Sequence, residues 1–156
     1  VTDVLYSFVS ESNKIEGIRR RPRPAEVRAL RIFTELREVT ALDVRQLVSV
    51  FQPGAVLRDR VGVNVRVGDH AAPPGGPEIT LKLDDLLRRV NSLEDPYSLH
   101  AEYEILHPFT DCNGRSGRAI WAWQMIQTRG VGALDRGFLH EWYYQSLAAW
   151  DGRRSG

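Results

Sequence analysis

His107-Pro108-Phe109-Thr110-Asp111-Cys112-Asn113-Gly114-Arg115-Ser116-Gly117-Arg118 joins two segments of helical character, and its reading decides the fold. Ahead of it, 98–106 carries a helical pattern that Pro108 should stop, because proline disfavours the helical conformation of the residue before it. His107 is therefore expected at a helix exit. Behind it, 116–128 holds Ile120, Trp121, Trp123, Met125 and Ile126, enough apolar surface on several sides for a central, buried helix. Asn113 and Gly114 permit a sharp turn between them. A tight loop that feeds a helix N-terminus presents unpaired N–H groups and the positive end of the helix dipole, which is a phosphate site. Arg115 and Arg118 are three apart and should share a helix face, where both can make charge-assisted contacts with phosphate oxygens. Asp111 is the only carboxylate of the loop, a hard oxygen ligand of the kind Mg²⁺ takes while keeping most of its waters. His107 is the natural general base, since an ordinary imidazole is largely neutral near pH 7.

Outward from this stretch the chain reads as mainly α. Residues 3–15 place Val4, Leu5, Phe8 and Val9 on one face of a short helix, with Gly17 suited to its end. After a basic, proline-containing break at 19–24, helices are expected at 25–38, with Val27, Leu30, Ile32, Phe33 and Leu36 on its apolar face, and at 43–51. Val61, Val63, Val65 and Val67 alternate with Gly62, Asn64 and Arg66, a strand pattern. Residues 68–77 are turn-rich, 78–81 read as the returning strand of a hairpin, and 83–90 read as a helix.

At 156 residues the chain suits one compact domain, expected over 1–150, with 151–156 lacking apolar anchors and reading as a frayed tail. The start at Val1, just before the first helix, reads as the edge of an excised domain. A formal net charge of +1 supplies no global field for non-specific nucleic-acid binding, so any anion site must be local. The single cysteine, Cys112, cannot close an internal disulfide, and the sequence shows neither a signal-peptide pattern nor an apolar run long enough to cross a bilayer. A reducing cytoplasm is the expected location, with neither membrane nor direct nucleic-acid binding.

The loop resembles the signature of the Fic (filamentation induced by cyclic AMP) family, H-P-F-x-[D/E]-G-N-G-R-x-x-R. Eight of its nine specified positions are met, by His107, Pro108, Phe109, Asp111, Asn113, Gly114, Arg115 and Arg118, with Cys112 standing where glycine is usual. Gly68-Asp69-His70-Ala71-Ala72-Pro73-Pro74 looks like the family's flap, and Ser12-Asn13-Lys14-Ile15-Glu16-Gly17 fits its inhibitory pattern [S/T]-x-x-x-E-[G/N]. The resemblance implies a Fic-type helical bundle with a short β-hairpin flap over the active site and an N-terminal inhibitory helix at about 3–17. It implies a protein adenylyltransferase, an AMPylator that moves AMP from Mg-ATP to a Ser, Thr or Tyr hydroxyl of an unidentified target protein.

In that reading His107 deprotonates the hydroxyl for in-line attack on the α-phosphate, and Asp111 holds the Mg²⁺ that bridges the α- and β-phosphates. Backbone N–H groups near Asn113, Gly114 and Arg115, with the Asn113 side chain, cradle the phosphates, and Arg118 meets the γ-phosphate. The flap, through Gly68, Asp69, His70 and Ala71, docks an extended target segment along its strand edge. Ser12, Glu16 and Gly17 form the brake, Glu16 pairing with Arg118 and so displacing the γ-phosphate. The family reading accommodates a homo-oligomer. Phe109 is expected to pin the loop into the core.

Competing readings are a catalytically locked nucleotide-binding regulator, and transfer of another phosphate-containing group on the same scaffold. A hydrolase with Cys112 as nucleophile and His107 as its base leaves Asp111, Arg115 and Arg118 without a role. A metal site from His100, His107 and Asp111 lacks a further ligand nearby, so His100 reads as a packed or capping residue. The bland readings are a solvated loop for Arg19-Arg20-Arg21, core or interface positions for Trp121, Trp123, Trp142 and Trp150, and a structural role for His140.

Overall fold

The computed structural model describes residues 2–67 and 70–134. The flap residues Gly68 and Asp69, together with His140, Trp142, Trp150 and the expected tail at 151–156, lie outside the described residues. Among the described residues six helices dominate: α1 (Thr2–Ile15), α2 (Pro24–Thr34), α3 (Ala41–Phe51), α4 (Pro77–Asn91), α5 (Pro96–Leu106) and α6 (Asn113–Arg129). A short 3₁₀ turn, Val131–Leu134, follows α6.

Local chemistry fixes where these helices start. Pro24, Pro77 and Pro96 stand in first turns, where a missing N–H costs nothing. Thr40 and Asp43 form a reciprocal capping box at α3, and Asp95 accepts from the Ser98 N–H at 3.0 Å to cap α5. Helix α1 ends in a Schellman arrangement: the Ile18 N–H reaches the Asn13 carbonyl at 3.0 Å and the Gly17 N–H reaches Lys14 at 2.9 Å. Gly17 supplies the positive φ of 77° that this ending requires.

The hairpin differs from the sequence expectation. The alternating valines form a strand only at β1 (Arg66–Val67), and its antiparallel partner is β2 (His70–Ala71), with Arg66 opposite Ala71 and Val67 opposite His70. Residues 78–81, expected as the returning strand, are the first turns of α4 instead. Pro77 initiates that helix and Ile79, Leu83, Leu86, Leu87 and Val90 bury one face of it, a helical spacing that outweighs the β-branched character of 78–81. Val61 is 86% exposed, because the alternation there faces no second layer.

Helix α6 is the axis of the core and packs against each of the other five helices. Ala119, Ile120, Trp121, Ala122, Trp123 and Met125 are all buried, as its all-round apolar pattern predicts. Trp121 stacks on Phe8 of α1 at 6.3 Å and meets Tyr97 of α5 edge-on at 6.0 Å. Where α5 crosses α6, Gly117 allows a close approach: a β-carbon there would lie 2.9 Å from Tyr103 Cδ1 and 3.1 Å from His100 Cε1. Tyr103 cannot retreat, because its hydroxyl is buried and bonded to Ser116 Oγ at 2.7 Å. Overpacking of about 3 kcal/mol, offset by about 1 kcal/mol of helix propensity, leaves Gly117→Ala destabilised by about 2 kcal/mol. Urea denaturation should show a lower midpoint with an unchanged m-value.

Candidate active site

Three segments meet at the N-terminus of α6. The first is the exit of α5, where His107 adopts left-handed geometry, φ 50° and ψ 61°. The second is the loop 108–112, where Cys112 is also left-handed at φ 69°. The third is the C-terminal end of α1, which carries Ser12 and Glu16.

The loop is closed from within and from its flank. Asn113 uses its whole side-chain amide on Phe109, accepting from the Phe109 N–H at 2.9 Å and donating to the Phe109 carbonyl at 2.9 Å. Phe109 itself is buried, the anchor it was expected to be. On the other side, residues 56–58 run antiparallel to the loop: the Arg58 N–H donates to the Pro108 carbonyl and the Thr110 N–H to the Val56 carbonyl, each at 2.9 Å. Ser116 Oγ donates to the Cys112 carbonyl at 2.7 Å. Its one proton is thereby used, so the Tyr103 hydroxyl must be the donor in their mutual bond.

His107 is half-buried, and its Nδ1 lies 3.0 Å from the Glu104 carbonyl oxygen. A carbonyl only accepts, so the neutral ring carries its proton on Nδ1 and offers the Nε2 lone pair. Burial holds the His107 pKa below its ordinary value; the bond to Glu104 and the charge of Glu16 oppose this, while Arg58 and His70 reinforce it. The imidazole is thus neutral near pH 7 and able to take a proton.

Arg118 is buried, and its guanidinium is held by α1: Nε donates to Ser12 Oγ at 2.7 Å, and one terminal nitrogen donates to the Ser12 carbonyl at 3.0 Å and to Glu16 Oε1 at 2.7 Å. The Glu16 carboxylate also lies against Gly114, so closely that a β-carbon at Gly114 would collide with Glu16 Oε1. A carboxylate therefore sits over the first turn of α6, which has no side-chain cap and whose leading N–H groups lack intrahelical partners. That is the position an incoming anion would take.

The two arginines of the loop part company. Arg115 does not share the Arg118 face; it reaches the end of α3, donating to the Phe51 carbonyl at 3.2 Å and to Gln52 Oε1 at 2.9 Å. Its cation meets the negative end of the α3 dipole. The Arg115 terminal nitrogens and the Asn113 side-chain amide, expected on phosphate oxygens, make structural bonds here. Their backbone N–H groups remain at the helix start.

Asp111 is exposed, and its Oδ1 accepts from the Cys112 N–H at 2.7 Å. No group of three or more His, Cys, Asp or Glu side chains suited to a metal occurs among the described residues. One exposed carboxylate beside the uncapped start of α6 is a donor of the kind Mg²⁺ takes when it keeps most of its waters. His100 is not a ligand: it is packed against Gly117, lies 3.4 Å from Glu104, and burial pushes its pKa down to about 3. Of the flap residues, His70 Nε2 donates to the Ile105 carbonyl at 3.2 Å and Ala71 is exposed in β2. Cys112 is buried, and burial pushes its thiol up to about 11, which removes the thiolate that a cysteine nucleophile requires. Its left-handed φ explains why glycine suits this position.

Two groups escaped the sequence reading. Arg58, wholly buried, donates from Nε to the His107 carbonyl at 2.6 Å and from its terminal nitrogens to the carbonyls of Leu106, Val63 and Pro73 at 2.9, 3.1 and 2.8 Å. Glu26, also buried, takes two bonds from Arg20 at 2.9 and 3.2 Å and one from the Arg23 N–H at 2.7 Å. Burial alone would raise the Glu26 pKa, but these bonds outweigh it and hold the carboxyl below its usual range. Arg20 is therefore more than a solvated member of its run; it ties the linker after α1 to α2. The partners of Arg58 lie in other segments, so it left no local pattern to read; Glu26 caps the start of α2 through the Arg23 N–H, and only its bonds to Arg20 come from the linker.

The Fic/DOC family model matches residues 33–125, more than half of the chain, and the protein belongs to that family. Proteins of this family are typically transferases that act on other proteins. No curated protein and no solved structure matches the chain.

Two measurements check this site. An NMR titration of the His107 ring should give a midpoint below about 6.5, with Nδ1 the protonated nitrogen of the neutral form. Cys112 should resist a thiol reagent at pH 8 in the native protein and react fully once unfolded.

Proposed function

We propose that the protein is an adenylyltransferase that moves AMP from Mg-ATP to a Ser, Thr or Tyr hydroxyl of another protein, and that Glu16 restrains it. The observation that carries the reading is the convergence of a neutral His107, the uncapped start of α6 and the buried Arg118 around one loop. In this reading the His107 Nε2 takes the hydroxyl proton as the oxygen forms its bond to the α-phosphorus. The bond from that phosphorus to the bridging oxygen breaks, and pyrophosphate leaves. The α6 N–H groups hold the phosphate oxygens in a fixed arrangement, so most of the catalysis is positioning and charge stabilisation. Mg²⁺, held by Asp111 and the phosphates, would neutralise charge between the α- and β-phosphates. The flap would align the target segment through main-chain bonds, with little demand on its sequence.

The restraint follows from competition. Glu16 and a terminal phosphate need the same Arg118 guanidinium and the same space above Gly114. A charge-assisted hydrogen bond contributes about 1.5–3 kcal/mol, so removing Glu16 should raise the transfer rate about 10- to 10²-fold. Arg118 keeps its two bonds to Ser12 and stays in place. The same pair supports the second reading, a locked nucleotide-binding regulator, if it never opens.

Incorporation of α-labelled and γ-labelled ATP into protein, in Mg²⁺, separates these readings. Label from the α-position only, appearing with Glu16→Gly and reduced about 10²- to 10⁴-fold by adding His107→Ala, is the expected result. Label from the γ-position would replace adenylyl transfer by phosphoryl transfer. ATP binding without label in Glu16→Gly, with lysate supplied as target, would leave the regulator.

A further inference from the structure

The last carbonyls of a helix lack intrahelical partners and are usually met by water or a terminal turn. At the end of α5 they are met by the flap side of the molecule. Ile105 accepts from His70 of β2 at 3.2 Å, and Leu106 and His107 accept from Arg58 at 2.9 and 2.6 Å. The same guanidinium reaches the two legs of the flap, Val63 before β1 at 3.1 Å and Pro73 after β2 at 2.8 Å. These legs are themselves drawn together: the Gly75 N–H donates to Asn64 Oδ1 at 2.9 Å, and a β-carbon at Gly75 would lie 2.7 Å from the Arg60 carbonyl.

We propose that Arg58 is a positioning residue that makes the placement of the flap and the placement of His107 one event. The proposal rests on the reading of His107 as base and of the flap as the target's dock. A left-handed residue other than glycine costs roughly 1–2 kcal/mol, and His107 keeps that conformation only if its surroundings over-determine it. Arg58 supplies two of those constraints, on the His107 carbonyl and the one before it. Only a planar fork with several donors can meet four carbonyls at once; a lysine ammonium has three donors on one point and cannot span them. A target segment that seats on the flap and fixes its legs therefore also fixes the backbone beneath the base. A flap that lifts releases both.

Hydrogen exchange read by mass spectrometry tests the coupling with no substrate present. Asn64→Ala opens the flap base without touching Arg58, and Arg58→Lys cuts the shared bonds. Both should speed exchange in the flap legs and in 105–110 together, while α2 and α3 keep their protection. Faster exchange in the flap legs alone, with 105–110 unchanged in either variant, overturns the proposal. In the Glu16→Gly background, Arg58→Lys should lower kcat for α-label transfer on the order of 10²-fold, as expected for a displaced base. The Kd for Mg-ATP should stay within about threefold, a shift of under 1 kcal/mol. An unchanged kcat, or a loss of ATP affinity matching the loss of rate, also overturns it. If Glu16→Gly transfers no α-label at all, the adenylyl reading falls, and the exchange experiment still decides the coupling.

Discussion

The Arg58 guanidinium is wholly removed from water, and its bonded partners are carbonyl oxygens rather than a carboxylate. Burial lowers its pKa, a sign that the charge is held at some cost. What offsets that cost is the satisfaction of four carbonyl acceptors, of which the buried Leu106 oxygen would lose about 1–3 kcal/mol if left alone. Its backbone takes part as well: the N–H pairs with Pro108 and the carbonyl accepts from Gly76 at 3.0 Å. The exit of α5, the signature loop and the start of α4 are thus referred to one residue. The position of the imidazole that α5 presents depends on it.

A second constraint is the geometry that brings α1 to α6. The Schellman ending at Gly17 stops α1 at Ile15, so Glu16 falls just past the helix boundary. Ser12, one turn earlier on the same face, bonds the same arginine. Arg118 is thereby gripped by side chain, backbone and carboxylate together. The linker beyond is tied down by Arg20 on the buried Glu26. Because the Glu26 pKa is depressed in the folded protein, that tie contributes stability above the unfolded carboxylate pKa and loses it as pH falls through the lower folded value.

Much of this was legible along the chain. The helices followed from their apolar periodicity, except that α2 stops at Thr34 rather than running to 38 and leaves Ile32 exposed; the end of α5 followed from Pro108 and the end of α1 from Gly17. The signature named the family because its chemistry is local: a base, an acid and a helix start within twelve residues. The hairpin was legible only in part. Two-residue strands bury almost nothing, so alternation over 61–67 overstated β1, and Pro77 turned 78–81 into helix.

The sequence alone determined which groups are present at the loop, the helical class of the fold and the family. Only the tertiary structure decided what those groups are free to do. Asn113 bonds Phe109, Arg115 the end of α3 and Arg118 the end of α1, although all three stand in the motif as phosphate-binding groups. Arg58 carried no local signal, since the carbonyls it joins belong to four residues between Val63 and His107. Hydrogen-bond capacity is a property of each residue, but its allocation depends on which backbone groups folding removes from water, and that is settled only when distant segments meet.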